Sequence, residues 1–150
     1  MKRKISTFVL TAVMAVLISV PVMASEVSPF YWEGGREVQY FSYATKASSY
    51  ITTFSDTVSQ KMYQNRQWVV SLSNNGGASY KTAHALFRHA TGGVQAGAQC
   101  WISGTGNGGG TFSDDWGFAN YPYYVIGSRL DTRETGTKTL SGQFSADAPY

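Results

Sequence analysis

Apolar and polar residues alternate with a period of two in several stretches of this chain, and that alternation predicts strands with one buried face. In "QWVVSLS" (67–73), Trp68, Val70 and Leu72 fall on one side, and Gln67, Val69, Ser71 and Ser73 on the other. Tyr123 and Val125 alternate in the same way with Tyr124 and Ile126. The pattern predicts strands at Glu37 to Thr45, Ser49 to Phe54, Gln67 to Ser73, Tyr80 to His89, Val94 to Ser103, Tyr123 to Arg129 and Thr137 to Ser145. The Tyr80 segment carries a competing signal, because Ala83, Leu86, Phe87 and Ala90 recur at helical spacing. Tyr80, Thr82 and the flanking glycine turns favour the strand. "SNNGGAS", Ser73 to Ser79, holds residues that accept positive φ cheaply and predicts a hairpin, with Thr91 to Gly93 next. Sixteen glycines, four prolines and turn clusters at short intervals complete an all-β pattern. No fixed-period repeat and no long linker divides it. The expectation is a single antiparallel β-sandwich of about seven strands.

The amino terminus changes the compartment. Lys2, Arg3 and Lys4 precede an apolar run from Phe8 to Val20, and Val22-Met23-Ala24 puts small residues at a cleavage position. The run spans 13 residues and ends at Pro21, short of the roughly 20 that cross a bilayer. Residues 1–24 are therefore expected to be a secretory signal peptide and 25–150 a secreted domain, with no transmembrane segment after cleavage. Three of the twelve basic residues lie in that peptide, whereas all nine acidic residues follow it. Nine against nine leaves the secreted part neutral, so the overall charge of +3 gives no reason to expect a nucleic-acid partner. The remaining 126 residues (150 less 24) can bury a core without staples. The lone cysteine, Cys100, shares a predicted strand face with Val94, Ala96, Ala98 and Ile102, which favours a buried inert thiol over a bridge between chains.

Several motifs offer chemistry. Gly104-x-Gly106-x-x-Gly109 has dinucleotide-fingerprint spacing, but "TFSDDWGFANYP" after Gly110 lacks the apolar period of the helix the fingerprint must open. A flexible loop between two strands is expected there instead. Asp114 and Asp115 could hold calcium, yet the nonapeptide calcium repeat is absent. His84 and His89 are five apart and point to opposite faces of a strand, so one element cannot present both to a metal. No metal or other cofactor is expected. The carboxylates are few and lie near turns, where they read as solvated loop residues; a pair of them flanking a sugar would make a glycosidase. No Gly-x-Ser-x-Gly elbow is present.

Aromatic residues carry the strongest remaining signal. Phe30-Tyr31-Trp32 opens the secreted part, Trp101 lies opposite the Cys100 face, Trp116 and Phe118 flank the glycine stretch, and Tyr121, Tyr123 and Tyr124 follow. Aromatic faces stack on the apolar faces of sugars and sit well at membrane interfaces. Trp101, Trp116, Tyr121 and Tyr123 are the candidate ligand-binding residues, while Trp68 is expected in the core and no catalytic residue is assigned.

Together with the export signal, "FSYATKASSY", "YQNRQWVVSLS" and "GTKTLSGQFSAD", anchored by Trp68-Val69-Val70-Ser71-Leu72 and Leu140-Ser141-Gly142-Gln143-Phe144, resemble a family of small secreted proteins of unknown function from Gram-positive bacteria. In length class and Tyr/Ser/Trp-rich strands the chain is also similar, more loosely, to the lactococcin 972-type bacteriocins. That likeness implies a β-sandwich acting at a cell-wall precursor, and it carries over no catalytic residue. The expectation is a secreted, non-enzymatic protein, bacteriocin-like or directed at a cell-envelope component or glycan. The alternatives are a self-assembling extracellular protein and a small glycan-acting enzyme using Asp114 or Asp115.

Overall fold

The computed structural model describes residues 36–89 and 93–148, and the backbone of 31–33. The signal-peptide segment 1–24, Phe30, the side chains of Tyr31 and Trp32, and Thr91-Gly92 lie outside the described residues. The chain is all-β: the described residues form ten strands and one short helix, α1 (Asp115–Asn120). The strands are β1 (Tyr31–Glu33), β2 (Arg36–Lys46), β3 (Thr53–Phe54), β4 (Ser59–Gln60), β5 (Trp68–Asn74), β6 (Thr82–Arg88), β7 (Cys100–Ile102), β8 (Gly106–Gly110), β9 (Tyr123–Leu130) and β10 (Thr137–Ser145). They form two antiparallel sheets, ordered β1-β2-β10-β5-β8 and β3-β9-β6-β7, with β4 also paired to β9.

Period-two alternation sets which side chains meet between the sheets. Phe41, Trp68, Val70, Leu72, Leu140 and Phe144 from the first sheet share one buried cluster with Leu86, Ile102, Tyr124, Ile126 and Leu130 from the second. Each large side chain removed from water there contributes about 1.5–3 kcal/mol. Trp68 is fully buried, as its strand pattern predicts, and its indole Nε1 donates to the Ala98 carbonyl at 3.1 Å. The second sheet is covered on its outer face too. Ile51 and Val58 pack on Ala85, Phe87 and Val125, and the Phe54 ring meets Phe87 edge-on at 5.0 Å. Burial on both faces explains why β6 reads "TAHALFR" with no polar side facing water, and why its helical spacing is incidental.

Four expectations are corrected. "SNNGGAS" makes a turn with Gly76 and Gly77 at positive φ, but β5 and β6 belong to different sheets, so it is a crossover and not a hairpin. Gly106–Gly110 is not a flexible loop; it is strand β8, paired with β5 from Trp68↔Gly110 to Leu72↔Gly106. Two of its glycines are required: a methyl on Gly109 would overlap the Trp68 carbonyl oxygen, and one on Gly108 would lie 2.8 Å from Cys100 Sγ. The strands predicted at 49–54 and 94–103 shrink to Thr53–Phe54 and Cys100–Ile102, leaving single bridges at Gln95 and Gly97. Finally, Glu37, Asp114, Glu134 and Asp147 are buried rather than solvated, because each accepts backbone or side-chain hydrogen bonds.

Candidate functional site

Asp114 organises one end of the molecule. Its side chain caps α1 by accepting from the Gly117 N–H at 3.2 Å, satisfying a donor the first helical turn leaves unpaired. Arg88, at the end of β6, donates from Nε to Oδ2 at 2.7 Å and from Nη2 to Oδ1, and the Tyr124 hydroxyl donates to Oδ2 at 3.2 Å. Burial alone would raise the Asp114 pKa, but Arg88, the Gly117 N–H and Tyr124 outweigh it and hold the carboxyl below its ordinary value. Gly117 must be glycine, since an added methyl would overlap the Asp114 carboxylate. Burial and the Asp114 charge together push the Tyr124 phenol up.

This clamp fixes an exposed aromatic group. The Arg88 guanidinium lies 4.6 Å from the centre of the Trp116 ring, and Trp116 stands 6.0 Å from Tyr121 with their planes at 53°. Trp116 is 53% exposed and Tyr121 50%, and Tyr123, at the start of β9, is also exposed. The loop after β4 lies alongside: Lys61 N donates to the Pro122 carbonyl at 2.7 Å and Gln64 Nε2 to Asp115 Oδ1 at 2.6 Å. That loop brings exposed Met62 and Tyr63 to the same end.

The loop has a rigid base. Lys61 and Asp147, both wholly buried, form an ion pair at 2.9 Å. Lys61 Nζ also donates to the carbonyls of Arg66 (2.6 Å) and Ala146 (2.7 Å), while Asp147 Oδ2 accepts from Met62 N at 2.7 Å. Every polar atom of the pair is occupied, as a buried ion pair requires.

Trp101 lies apart from this group. It faces out from β7 beside Ala83, whose other neighbour is Arg129, and the Arg129 guanidinium sits 4.7 Å from the indole centre. Ala83 and Arg88 are five residues apart on β6, about 16 Å along the strand. Two of the four aromatic candidates, Trp116 and Tyr121, therefore meet; Tyr123 is exposed two residues beyond Tyr121, and Trp101 does not join them.

His84 and His89 lie apart, but not on one strand: His84 is fully buried within β6, and His89 is exposed in the turn that follows it. His84 Nδ1 is 2.7 Å from Ser128 Oγ and Nε2 is 2.8 Å from Thr82 Oγ1, while the Tyr43 hydroxyl is 2.6 Å from Ser128 Oγ. A serine and a histidine in contact suggest a nucleophile and its base, but this pair lies inside the core with no exposed surface. Burial lowers the His84 pKa to about 4. Cys100 is half-buried, and burial raises its thiol pKa against the opposing hydrogen bond from the Gly109 backbone. Among the described residues, no three His, Cys, Asp or Glu side chains are placed to hold a metal ion. No helix among them is long and apolar enough to cross a membrane.

The Arg88–Asp114 contact and the approach of Met62 and Tyr63 have no local signal in the sequence. The helix cap did have one, since an aspartate precedes "DWGF" at the position where Ncap residues stand. Comparison with known protein families, curated proteins and solved structures finds no match to this chain.

Proposed function

We propose that this is an exported, non-enzymatic binding protein that uses the Trp116–Tyr121–Tyr123 end to engage a component of the cell envelope. The observation that carries this reading is the pair Trp116 and Tyr121, both half-exposed and 6.0 Å apart, on a helix clamped by Arg88 and Asp114. Large apolar side chains held rigidly in water are unfavourable for solubility and favourable for association, because little entropy remains to be lost on binding. The amino-terminal pattern of Lys2, Arg3, Lys4 and the apolar run supports export. The resemblance to small secreted Gram-positive proteins, and the looser one to lactococcin 972-type bacteriocins, supports the envelope as target.

Asp114 and Asp115 favour binding over glycan hydrolysis. Asp114 is committed to Arg88, Gly117 and Tyr124, and Asp115 accepts from Gln64. Asp114, held below its ordinary value, is not poised as a general acid, which needs a raised pKa.

Co-sedimentation of the purified chain with washed Gram-positive envelopes tests the proposal. Retention of the wild type and its loss in Trp116→Ala and Tyr121→Ala, with Trp101→Ala retained, is the expected result. A wild-type protein that stays in the supernatant, or a Trp116→Ala variant retained as strongly as wild type, would overturn it.

A further inference from the structure

The buried pair of Lys61 and Asp147 joins two parts of the chain 86 residues apart, the loop after β4 and the segment just past β10. Neither side chain has any exposed surface. The backbone on both sides is pinned: Lys61 N–H donates to the Pro122 carbonyl at 2.7 Å, Ala146 N–H to Ser59 Oγ at 3.0 Å and Ala148 N–H to the Gln67 carbonyl at 2.6 Å. The amine and the carboxyl are therefore held in contact, with Nζ 2.9 Å from Oδ1.

The hydrogen bonds around the pair also fix its direction. Nζ has three acceptors, the carbonyls of Arg66 and Ala146 and the Asp147 Oδ1 atom, one for each proton of an ammonium. If the third proton passes to Oδ1, the two carbonyls keep the other two, and the lone pair left on Nζ points at the carboxyl group. Asp147 in turn receives the N–H groups of two consecutive residues, Met62 on Oδ2 at 2.7 Å and Tyr63 on Oδ1 at 3.3 Å. Backbone donors so placed stabilise the negative oxygen that forms when a carboxyl carbon is attacked. The Phe112 ring lies 4.7 Å from Nζ and adds an apolar wall. Burial lowers the Lys61 pKa despite the opposing hydrogen bond and charge of Asp147, which favours the uncharged, nucleophilic amine.

We infer that Lys61 and Asp147 are a site of covalent modification, at which the folded chain closes an amide bond between Nζ and Cγ. One proton moves from Nζ to Oδ1. Nζ then attacks Cγ, the C–N bond forms, and negative charge collects on Oδ2 beneath the Met62 N–H. A second proton passes from Nζ to Oδ1, the Cγ–Oδ1 bond breaks, and water leaves. The pair supplies every proton and electron of the step, so no oxidant, reductant or activated group is consumed. A free amine and a free carboxylate in water remain apart, but well-placed groups reach effective concentrations of about 10⁵ M or more, and that reverses the balance. The product also removes two buried charges, whose loss of hydration an ion pair offsets only in part. The ion pair is the state of the newly folded chain, and the amide is what it becomes. In a chain with one cysteine, it provides a link that reductants do not break. The inference is independent of the envelope-binding reading.

The test is intact-mass spectrometry of the natively purified chain, sampled over days at neutral pH, followed by proteolysis and sequencing of the fragments. Wild type should lose the mass of one water, and a branched fragment joining the Lys61 and Asp147 peptides should appear in step with that loss. Lys61→Arg keeps the charge but presents no nucleophilic amine, so it should hold its full mass. Thermal melts show whether it is folded; should it not be, the sequence of the branched fragment decides by itself, since it names the joined residues. Folded wild type that keeps its full mass throughout would overturn the proposal. So would a water lost equally by folded Lys61→Arg, or a loss that sequencing places on an unbranched fragment, as for a succinimide at an aspartate.

Discussion

Acid should weaken this protein through one residue, His84. In the folded state its imidazole is wholly buried between Thr82 and Ser128, and burial lowers its pKa from 6.5 to about 4. No carboxylate contacts the ring to compensate a positive charge; the next link is the Tyr43 hydroxyl, whose own pKa burial raises. A base whose folded pKa is depressed takes up its proton first in the unfolded chain. The stability it allows is therefore complete above about pH 6.5 and is lost progressively as pH falls towards 4. The displacement of about 2.5 units, at about 1.4 kcal/mol per unit, sets a limit near 3 kcal/mol, of which about 2 kcal/mol is lost between pH 7 and pH 5. That is a large share of the 5–15 kcal/mol typical of a domain. In urea it moves the unfolding midpoint by about 1 M. The assay is urea unfolding followed by tryptophan fluorescence at pH 7, 6 and 5, for wild type and His84→Gln. The glutamine can still bond to both hydroxyls but does not titrate, so its midpoint should stay nearly flat over this range. Parallel decline of the two proteins would refute the reasoning. Asp131 and Asp114 titrate below this window, since Asp131 is held at about 2 chiefly by its Arg133 hydrogen bonds, and Asp114 lies below its ordinary value.

Other expectations follow from single contacts. Lys61→Met leaves Asp147 buried without its partner and should cost about 3–5 kcal/mol, read as a lowered denaturant midpoint; the full exchange to a well-packed apolar pair should cost much less. Gly109→Ala should destabilise by about 1–3 kcal/mol, because the methyl collides with the backbone of β5 and forces β8 away; melting temperature would show it. Trp116→Ala, at an exposed position, should change stability by less than about 1 kcal/mol while removing envelope retention, so binding and folding can be scored separately. Leu72→Ala, in the middle of the core, should cost about 2–5 kcal/mol.

The parts of this fold that are local in the sequence are also the legible ones. Thr137 to Ser145 matches β10 at both ends, and Trp68, Val70 and Leu72 are buried as alternation requires, because each of these strands has one wet face. Period two says which side chains share a face, but not which strand lies next to it. That is why a turn rich in Asn and Gly between β5 and β6 was legible as a turn and misleading as a hairpin. Glycine reads as loop by propensity, and β8, four glycines and Asn107, is a strand in which β5 and Cys100 leave no room for side chains at Gly109 and Gly108. The four aromatic candidates are all exposed, yet the placement of Trp116 beside Tyr121 depends on Arg88, 28 positions before Trp116, meeting Asp114.

The last strand occupies a position in the first sheet that orders events in time. β10 lies between β2 and β5, so two strands from the first half of the chain have no edge to share until Thr137–Ser145 arrives. Contacts of such long sequence separation form slowly and late. A chain emerging amino terminus first would present β2 and β5 unjoined and close its first sheet only when nearly all of it has emerged. The topology thus makes the arrival of β10 the step that gives the molecule its final shape.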